Sequence, residues 1–410
     1  MAVLHIQQAR VVPVKAYAKT DCDEAVVPEG VEVISPKVFQ YCARLRVVRL
    51  PRSLTHIELK SFEGCPLEEI YYAGSAAEWE RVEISPVKND ALLRAKKHYA
   101  LPGEIPPRAA RPDRSPAIYA HGRELLAGGG DGQLHVFVPE LMIPGSYLKY
   151  GDLSLIVFPR GSTMMIDAGR DESCLRAQEF MDRIGLQSLD CLSFSHGCAD
   201  HVTGGAPLIR SIWAHGGEVR RIWWTGQAYG KEIPRMFAML AERGAETDDG
   251  VRAGRSFDID GVRLDILGPT EEELAGDAND GAIRNGQSMV MHFTHGAASL
   301  LTSGDLYFAH ERAVVARCGG ALRATVMKAN HHGGYTSTSP EWLDAVQPRL
   351  AYACSNDNGC LRVEEEMRAR GITYVSTGCQ GLLHITLRAD GSVSCETQYE
   401  GMKNIVRING

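Results

Sequence analysis

Ser195-His196-Gly197-Cys198-Ala199-Asp200-His201, with Gly204-Gly205 just beyond, sets two histidines, an aspartate and a cysteine within six residues. The stretch follows the apolar run Leu189 to Phe194, which reads as a buried strand. Ligand-type side chains at alternating positions after a strand end converge on one point. Imidazole, thiolate and carboxylate are the groups that suit zinc. For any one of these residues the plainer reading is a polar turn in which Asp200 caps the next helix.

Three other strand ends carry the same kind of residue. Asp167 ends Thr163-Met164-Met165-Ile166 and is followed by Ala168-Gly169. Asp305 follows Ser303-Gly304 after the strand 298–302. His331-His332-Gly333 follows Thr325-Val326-Met327-Lys328. Four hydrophobic strands that give way to Gly-rich turns with ligand-type residues imply one site along one edge of a layered α/β domain.

In this order the motifs Asp167, His196-x-Cys198-x-Asp200-His201, Asp305 and His331 resemble those of metallo-β-lactamase-fold domains, over about residues 133 to 400. The nearest resemblance is to the hydrolase domain of ComEC-type competence proteins. It is carried by Gly151-Asp152, Asn285 with Ser288, Ser303-Gly304-Asp305, and Lys328-x-x-His331-His332-Gly333 with Ser337. The resemblance implies an αββα sandwich with a metal site at one edge. It implies one or two zinc ions, with manganese as the alternative. His196 and residue 198 would serve one metal. Asp200, His201 and His331 would serve the other, and Asp305 would bridge them. Asp167 would orient the histidine loop. Asp200, Lys328 and His332 are the candidate catalytic residues, Lys328 or His332 acting near the leaving oxygen.

Three departures stand out. Position 198 is Cys where the superfamily usually has His and the competence subgroup Asp. The usual third-motif histidine has no counterpart in context; His215, His292 and His295 are the candidates. Cys360-Leu361 follows Asn358-Gly359 where the subgroup often continues His-Pro. Cys198 is therefore either a thiolate ligand or a neutral replacement that weakens the first site.

The implied reaction is metal-assisted hydrolysis, with phosphodiester cleavage by a metal-bound hydroxide on a small-molecule or short substrate as first choice and lactone, thioester or β-lactam hydrolysis open. The alternative is a degenerate metallo-β-lactamase-fold binding protein, with the N-terminal repeats as its interaction surface. The net charge of −7 is uneven, with 18 basic and 17 acidic residues up to 132 and 26 against 34 beyond. An acidic catalytic half is a poor footprint for long duplex nucleic acid.

The N-terminal part repeats. Val27-Pro28-x-x-Val31-x-x-Ile34 returns as Leu50-Pro51-x-x-Leu54-x-x-Ile57, and Phe39-x-x-Cys42 as Phe62-x-x-Cys65, at a strict spacing. A fixed period with apolar residues at fixed places is a solenoid signature. It resembles BspA-type leucine-rich repeats, with Tyr71-Tyr72-x-Gly74 and Trp79 as the closing segment. Two full repeats and an irregular one around Val11 to Tyr17 are too few to stand alone. The array is expected to lean on the hydrolase domain, another subunit or its own caps, and to offer a surface for a protein partner.

These readings divide the chain into a repeat module 1–98 (repeats about 24–70, closing segment to about 85), a Pro/Gly-rich linker 99–132, and a hydrolase domain 133–410. Eleven cysteines form no disulfide framework, and no apolar run suits a membrane helix. With no secretory leader at Met1, the expectation is a cytoplasmic protein without membrane association.

Overall fold

The run Leu134–Val138 is buried at all five positions, as are Ser154–Val157 and Thr163–Ile166. Strands buried on both faces need cover on both sides, and the fold supplies it. The structure, a computed structural model, describes residues 2–6, 10–12, 14–100, 113–141, 151–354 and 361–399. In it these three strands lie in an eight-stranded sheet. Its order is Glu246–Asp248, Arg221–Trp223, Cys191–Ser193, Thr163–Ile166, Ser154–Val157, Leu134–Val138, Leu383–Leu387, Val393–Thr397. A seven-stranded sheet runs Ser256–Ile259, Val262–Gly268, Val290–His295, Ala298–Thr302, Val326–Lys328, Leu350–Ala353, Thr373–Ser376.

The inner faces share one apolar core. Val136, Ile156 and Met164 of the first sheet belong to one cluster with Leu264, Met291, Leu300 and Tyr352 of the second. Alternation along each strand sends its other residues outward. Phe137, Leu155 and Met165 meet the helices Cys174–Ile184, Gly205–Ala214 and Glu232–Ala241. Leu301, Met327 and Ala351 meet Phe308–Cys318 and Pro340–Val346 on the far side. The architecture is the αββα sandwich expected from the sequence. Ser339 caps its helix, accepting from the Trp342 amide at 3.2 Å, with Pro340 at the first helical position.

The strands that carry the site are parallel neighbours. Thr163–Ile166 pairs with Cys191–Ser193, and Ala298–Thr302 with Val326–Lys328 and then Leu350–Ala353. Parallel pairing puts their carboxyl ends on one edge, where open α/β sheets bind ligands. Asp167, His196, Asp305 and His332 all follow such ends.

The N-terminal repeats wind into two parallel sheets. One has five strands, Val3–His5, Glu24–Val26, Val47–Leu50, Glu69–Tyr72 and Lys96–Tyr99; the other has four. The pairing Ala25↔Val48 carries the sequence period into the ladder. Phe39 stacks on Phe62 at 5.1 Å, and Cys42 and Cys65 are buried. Each thiol bonds a carbonyl one coil earlier, Cys42 to Tyr17 O at 3.1 Å and Cys65 to Phe39 O at 3.0 Å. The array is longer than the repeats visible in the sequence. Its terminal strand, Lys96-Lys97-His98-Tyr99, is too polar to announce itself.

The array leans on the sandwich. Arg10 is buried at the junction, pairs with Glu32 and Glu140, and donates from Nε to Gly378 O at 3.2 Å. Val11 and Val33 join the apolar cluster that holds Leu141 and Leu382. The expected linker 99–132 holds a fourteen-residue helix, Ser115–Gly128, ended by Gly129 in a left-handed conformation. Its Ile118, Tyr119 and Leu125 are core, so sandwich packing begins near 115 and not at 133. In the sequence Tyr119 to Leu126 reads as a short packed segment; proline and glycine at both ends obscure its full length. Pro102, Pro106, Pro107 and Pro112, and Asn358 to Cys360, lie outside the described residues. Among the described residues no helix is long and apolar enough to cross a membrane.

Candidate metal centre

The site is assembled from two backbone devices. Gly151 holds φ +84°, and a Cβ there would fall 1.4 Å from Asp200 O. Only glycine allows this approach. It sets Asp152 against the histidine loop, where the Asp152 amide donates to Asp200 O at 3.2 Å. Asp167, itself at φ +61°, clamps the other side. Its carboxylate accepts from the Ser195 amide and hydroxyl, each at 2.7 Å, and lies 2.8 Å from His201 Nδ1. A carboxylate only accepts, so the His201 ring hydrogen sits on Nδ1 and its Nε2 lone pair faces inward.

The second sheet supplies the opposite wall. His331 and His332 both take left-handed conformations, at φ 47° and 57°. For residues with a Cβ this costs about 1–3 kcal/mol each. The turn is held from behind. Ser337 Oγ donates to Asn330 O at 2.7 Å, His331 N to Gly304 O at 3.2 Å, and Ser303 bonds the Asn330 side chain. Glu311, fully buried on the helix Phe308–Cys318, accepts from Asn330 Nδ2 at 2.7 Å, Ser339 N at 2.8 Å and Thr338 N. His332 Nδ1 lies 3.1 Å from Asp152 Oδ1 and 3.0 Å from Cys354 O, which again turns its Nε2 inward.

Four imidazoles thus converge on one carboxylate. Asp305 Oδ2 lies 3.3 Å from His201 Nε2, 3.4 Å from His332 Nε2, and 3.9 Å from both His196 Nε2 and His331 Nε2. Asp200 Oδ2 lies 3.3 Å from His332 Nε2. Among the described residues no hydrogen bond reaches Nε2 of His196, His201 or His332, nor Oδ1 of Asp305. Buried polar atoms are normally satisfied, so four such atoms facing one point call for a ligand. Asp152, His201, Asp305 and His332 each bring a ligand atom within 4.8 Å of the others. Imidazole and carboxylate together suit zinc, manganese or iron. The donor set fits a divalent metal.

The electrostatics agree. Burial and the neighbouring His201 push the His196 imidazole down to about 3, so that ring is neutral and able to ligate. Burial alone would raise the Asp305 carboxyl and lower the His201 and His332 imidazoles; their mutual attraction outweighs it in all three, so without a cation the two rings hold a proton that a bound metal would replace. Burial would likewise discharge Lys328, but Asp152 and Asp305 keep its ammonium charged.

Of the residues singled out in the sequence, His196, Asp200, His201, Asp305, His331 and His332 come together. Cys198 does not join them. Its Sγ donates to Asn285 Oδ1 at 3.2 Å and accepts from Arg284 Nε at 3.2 Å. Burial, only partly offset by Arg284, raises its thiol, which favours the protonated form. His332 is the one beside Asp200 and His201, while His331 is as far from Asp305 as His196 is. Lys328 is buried and ion-paired with Asp152. His215 and His292 turn to backbone carbonyls, of Ser211 and Arg323. Asp152 was legible only as part of Gly151-Asp152, with nothing to mark it as a site residue.

Glu311→Gln tests how far the rear support matters. The amide would turn an NH2 toward backbone donors, leaving a buried polar group unpaired at about 1–3 kcal/mol. We expect metal affinity to drop about 10- to 100-fold with far-UV circular dichroism unchanged. Metal titration of the folded variant checks it, and an unaltered affinity would remove Glu311 from the account.

Both parts of the chain are similar to known proteins. Residues 149–355 match the metallo-beta-lactamase superfamily, and residues 10–81 match the BspA type leucine rich repeat region in 6 copies. The competence protein ComA of Neisseria gonorrhoeae is 30% identical over 218 residues, which are 52% of this chain and 27% of that protein. ComE operon protein 3 of Bacillus subtilis (strain 168) is 25% identical over 179 residues, 44% of this chain and 21% of that one. The chain thus spans only a minor part of the relatives it matches. Among solved structures, the metallo-beta-lactamase fold protein YhfI from Bacillus subtilis aligns with TM-score 0.40 at 10% identity, covering 60% of this chain and 95% of that one. On the match over residues 149–355, the chain belongs to the metallo-beta-lactamase superfamily, with a BspA-type leucine-rich-repeat array at its N-terminal side.

Proposed function

We propose that the chain is a metal-dependent hydrolase of phosphodiesters. The observation that carries it is the set of unpartnered Nε2 atoms of His196, His201 and His332 around the Asp305 carboxylate. The phosphodiester class rests on the likeness to the competence proteins and on Lys328-x-x-His331-His332-Gly333 beside Ser303-Gly304-Asp305.

In this reading His196 and His331 flank Asp305 on one side, with Asp200, His201 and His332 on the other. These six residues would hold the metal. His331 would then take the place of the third-motif histidine that the sequence lacks. A divalent metal bound there supplies Lewis acidity and a nucleophilic water at neutral pH. The chain does the rest. Asp167 and Asp152 fix the tautomers of His201 and His332, so both rings present lone pairs without a reorganisation cost. Lys328 is a positioning residue that neutralises Asp152 and keeps it aimed at His332. Burial of these side chains excludes bulk water, which strengthens every charge interaction at the reacting centre. The acidic sandwich favours short or small substrates over long duplexes. The repeat array belongs to the proposal as a docking surface for a protein partner.

A second reading has one observation behind it. Cys198, at a usual ligand position, is tied to Arg284 and Asn285, so the centre has one donor fewer than most of its superfamily. A binding protein that has lost turnover fits that deficit. The metal-loaded chain assayed on a chromogenic phosphodiester, a thioester and a lactone separates the readings. Phosphodiester turnover alone is expected. Turnover of only the others moves the reaction elsewhere in the superfamily, and an inert metal-loaded chain favours the second reading.

A further inference from the structure

A second histidine cluster lies on the outer face of the eight-stranded sheet, sharing no residue with the Asp305 centre. His135 and His384 come from the paired strands Leu134–Val138 and Leu383–Leu387, and His121 descends from the helix Ser115–Gly128. His135 and His384 are buried. One ligand nitrogen from each of the three rings lies within 4.8 Å of the others.

The hydrogen bonds around the pair do not balance. His135 Nε2 lies 2.9 Å from Asp131 Oδ1, and His384 Nδ1 lies 3.1 Å from Glu396 Oε2. Carboxylates accept, so each of these nitrogens carries its ring hydrogen. The remaining nitrogens, His135 Nδ1 and His384 Nε2, then face each other 3.0 Å apart with lone pairs only. Two neutral rings have two N–H groups for three contacts. The Thr386 hydroxyl approaches His135 Nδ1 at 3.4 Å but does not reach across to His384 as well. The shortfall is one positive centre between the rings.

An imidazole whose far nitrogen donates to a carboxylate is the usual form of a metal ligand, and here it occurs twice. We propose that His121, His135 and His384 form a second metal site, for zinc or a similar borderline transition ion, pinning the helix Ser115–Gly128 to the sheet. Three imidazoles are an established zinc donor set, with a fourth position left for water or another ligand. A single extra proton would serve His135 and His384 but leave His121 without a role. Access exists. His121, His384, Arg388 and Glu396 line a pocket of about 670 Å³.

The test is an anomalous difference map at the zinc edge, from crystals of the full chain grown with zinc. A peak at bonding distance from all three rings, about 2.0–2.1 Å, is expected. No peak there overturns the proposal, whether or not the Asp305 centre is occupied, and leaves a shared proton as the pair's solution. In solution, His121→Ala should lower bound zinc by one equivalent per chain. His121 is half-buried on the helix, outside the strands, so its removal leaves the strand pairing of His135 and His384 in place. An unchanged zinc count in that variant also overturns it.

Discussion

Asp305→Ala should abolish turnover and strip the metal from its centre. The carboxylate is the point on which four imidazoles converge, between 3.3 and 3.9 Å from their Nε2 atoms. Alanine removes the carboxylate shared by all four rings and leaves Asp200, beside His332 Nε2 alone, as the remaining anion on that side. Metal assistance is worth several kcal/mol in the transition state, and each 1.36 kcal/mol is tenfold. The loss is therefore about three orders of magnitude or more. The fold should survive, because Gly304 keeps the turn and the residue 305 amide still donates to Ser288 Oγ, at 3.1 Å. Elemental analysis and turnover of a chromogenic phosphodiester, measured against the unaltered chain, check both halves. A variant that keeps its metal and its rate would contradict the bridging role.

Asp152→Ala should be the most destabilising single change at the site. Asp152 and Lys328 are both buried, 1% and 3% exposed, and form an ion pair. Breaking a buried pair by removing one partner leaves a charge without compensation, at about 3–5 kcal/mol. His332 also loses its tautomer partner, so metal affinity should fall in the same variant. Adding Lys328→Met removes the stranded ammonium and should restore most of the stability but not the metal affinity. That split separates electrostatic damage from loss of site geometry. Chemical denaturation reads the first and metal titration the second. A loss under about 1 kcal/mol for Asp152→Ala would mean that water reaches Lys328 and that the pair is not the support described.

Much of this was legible in the chain, and the limits have physical reasons. Ser195 to His201 could be read because a strand end and a turn fix where side chains point. The same logic found Asp167, Asp305 and the two adjacent histidines. The resemblance put His331 beside Asp200 and His201, where the structure has His332. Both have left-handed backbones, and nothing in His331-His332-Gly333 reports how such a turn splays its rings. Asp152 was visible as a motif and not as a site residue, since its role depends on a contact between Gly151 and Asp200 that no local pattern encodes. Cys198 could be read as a ligand by position. Arg284 and Asn285, 86 and 87 residues away, draw its sulfur elsewhere.

The αββα layering was readable because its central strands are continuously apolar. The edge strand Ser256–Ile259 was not, being half exposed along its length. Of the helix Ser115–Gly128 only Tyr119 to Leu126 reads as a packed segment, because the surroundings are Pro-rich before and Gly-rich after. In the repeats, Phe39, Cys42, Phe62 and Cys65 announced the period. The terminal strands Val3–His5 and Lys96–Tyr99 did not, because an end coil has only one neighbour to pack against and is free to be polar.

Metal-dependent hydrolysis is tested by stripping the full chain with a chelator and following phosphodiester turnover as zinc or manganese is added back. The stripped chain should be silent, its activity should return as metal binds, and Asp305→Ala should show no return. Turnover that persists in the stripped chain, or a chain that takes up metal at the Asp305 centre and stays inert toward phosphodiesters, would contradict metal-dependent hydrolysis of phosphodiesters.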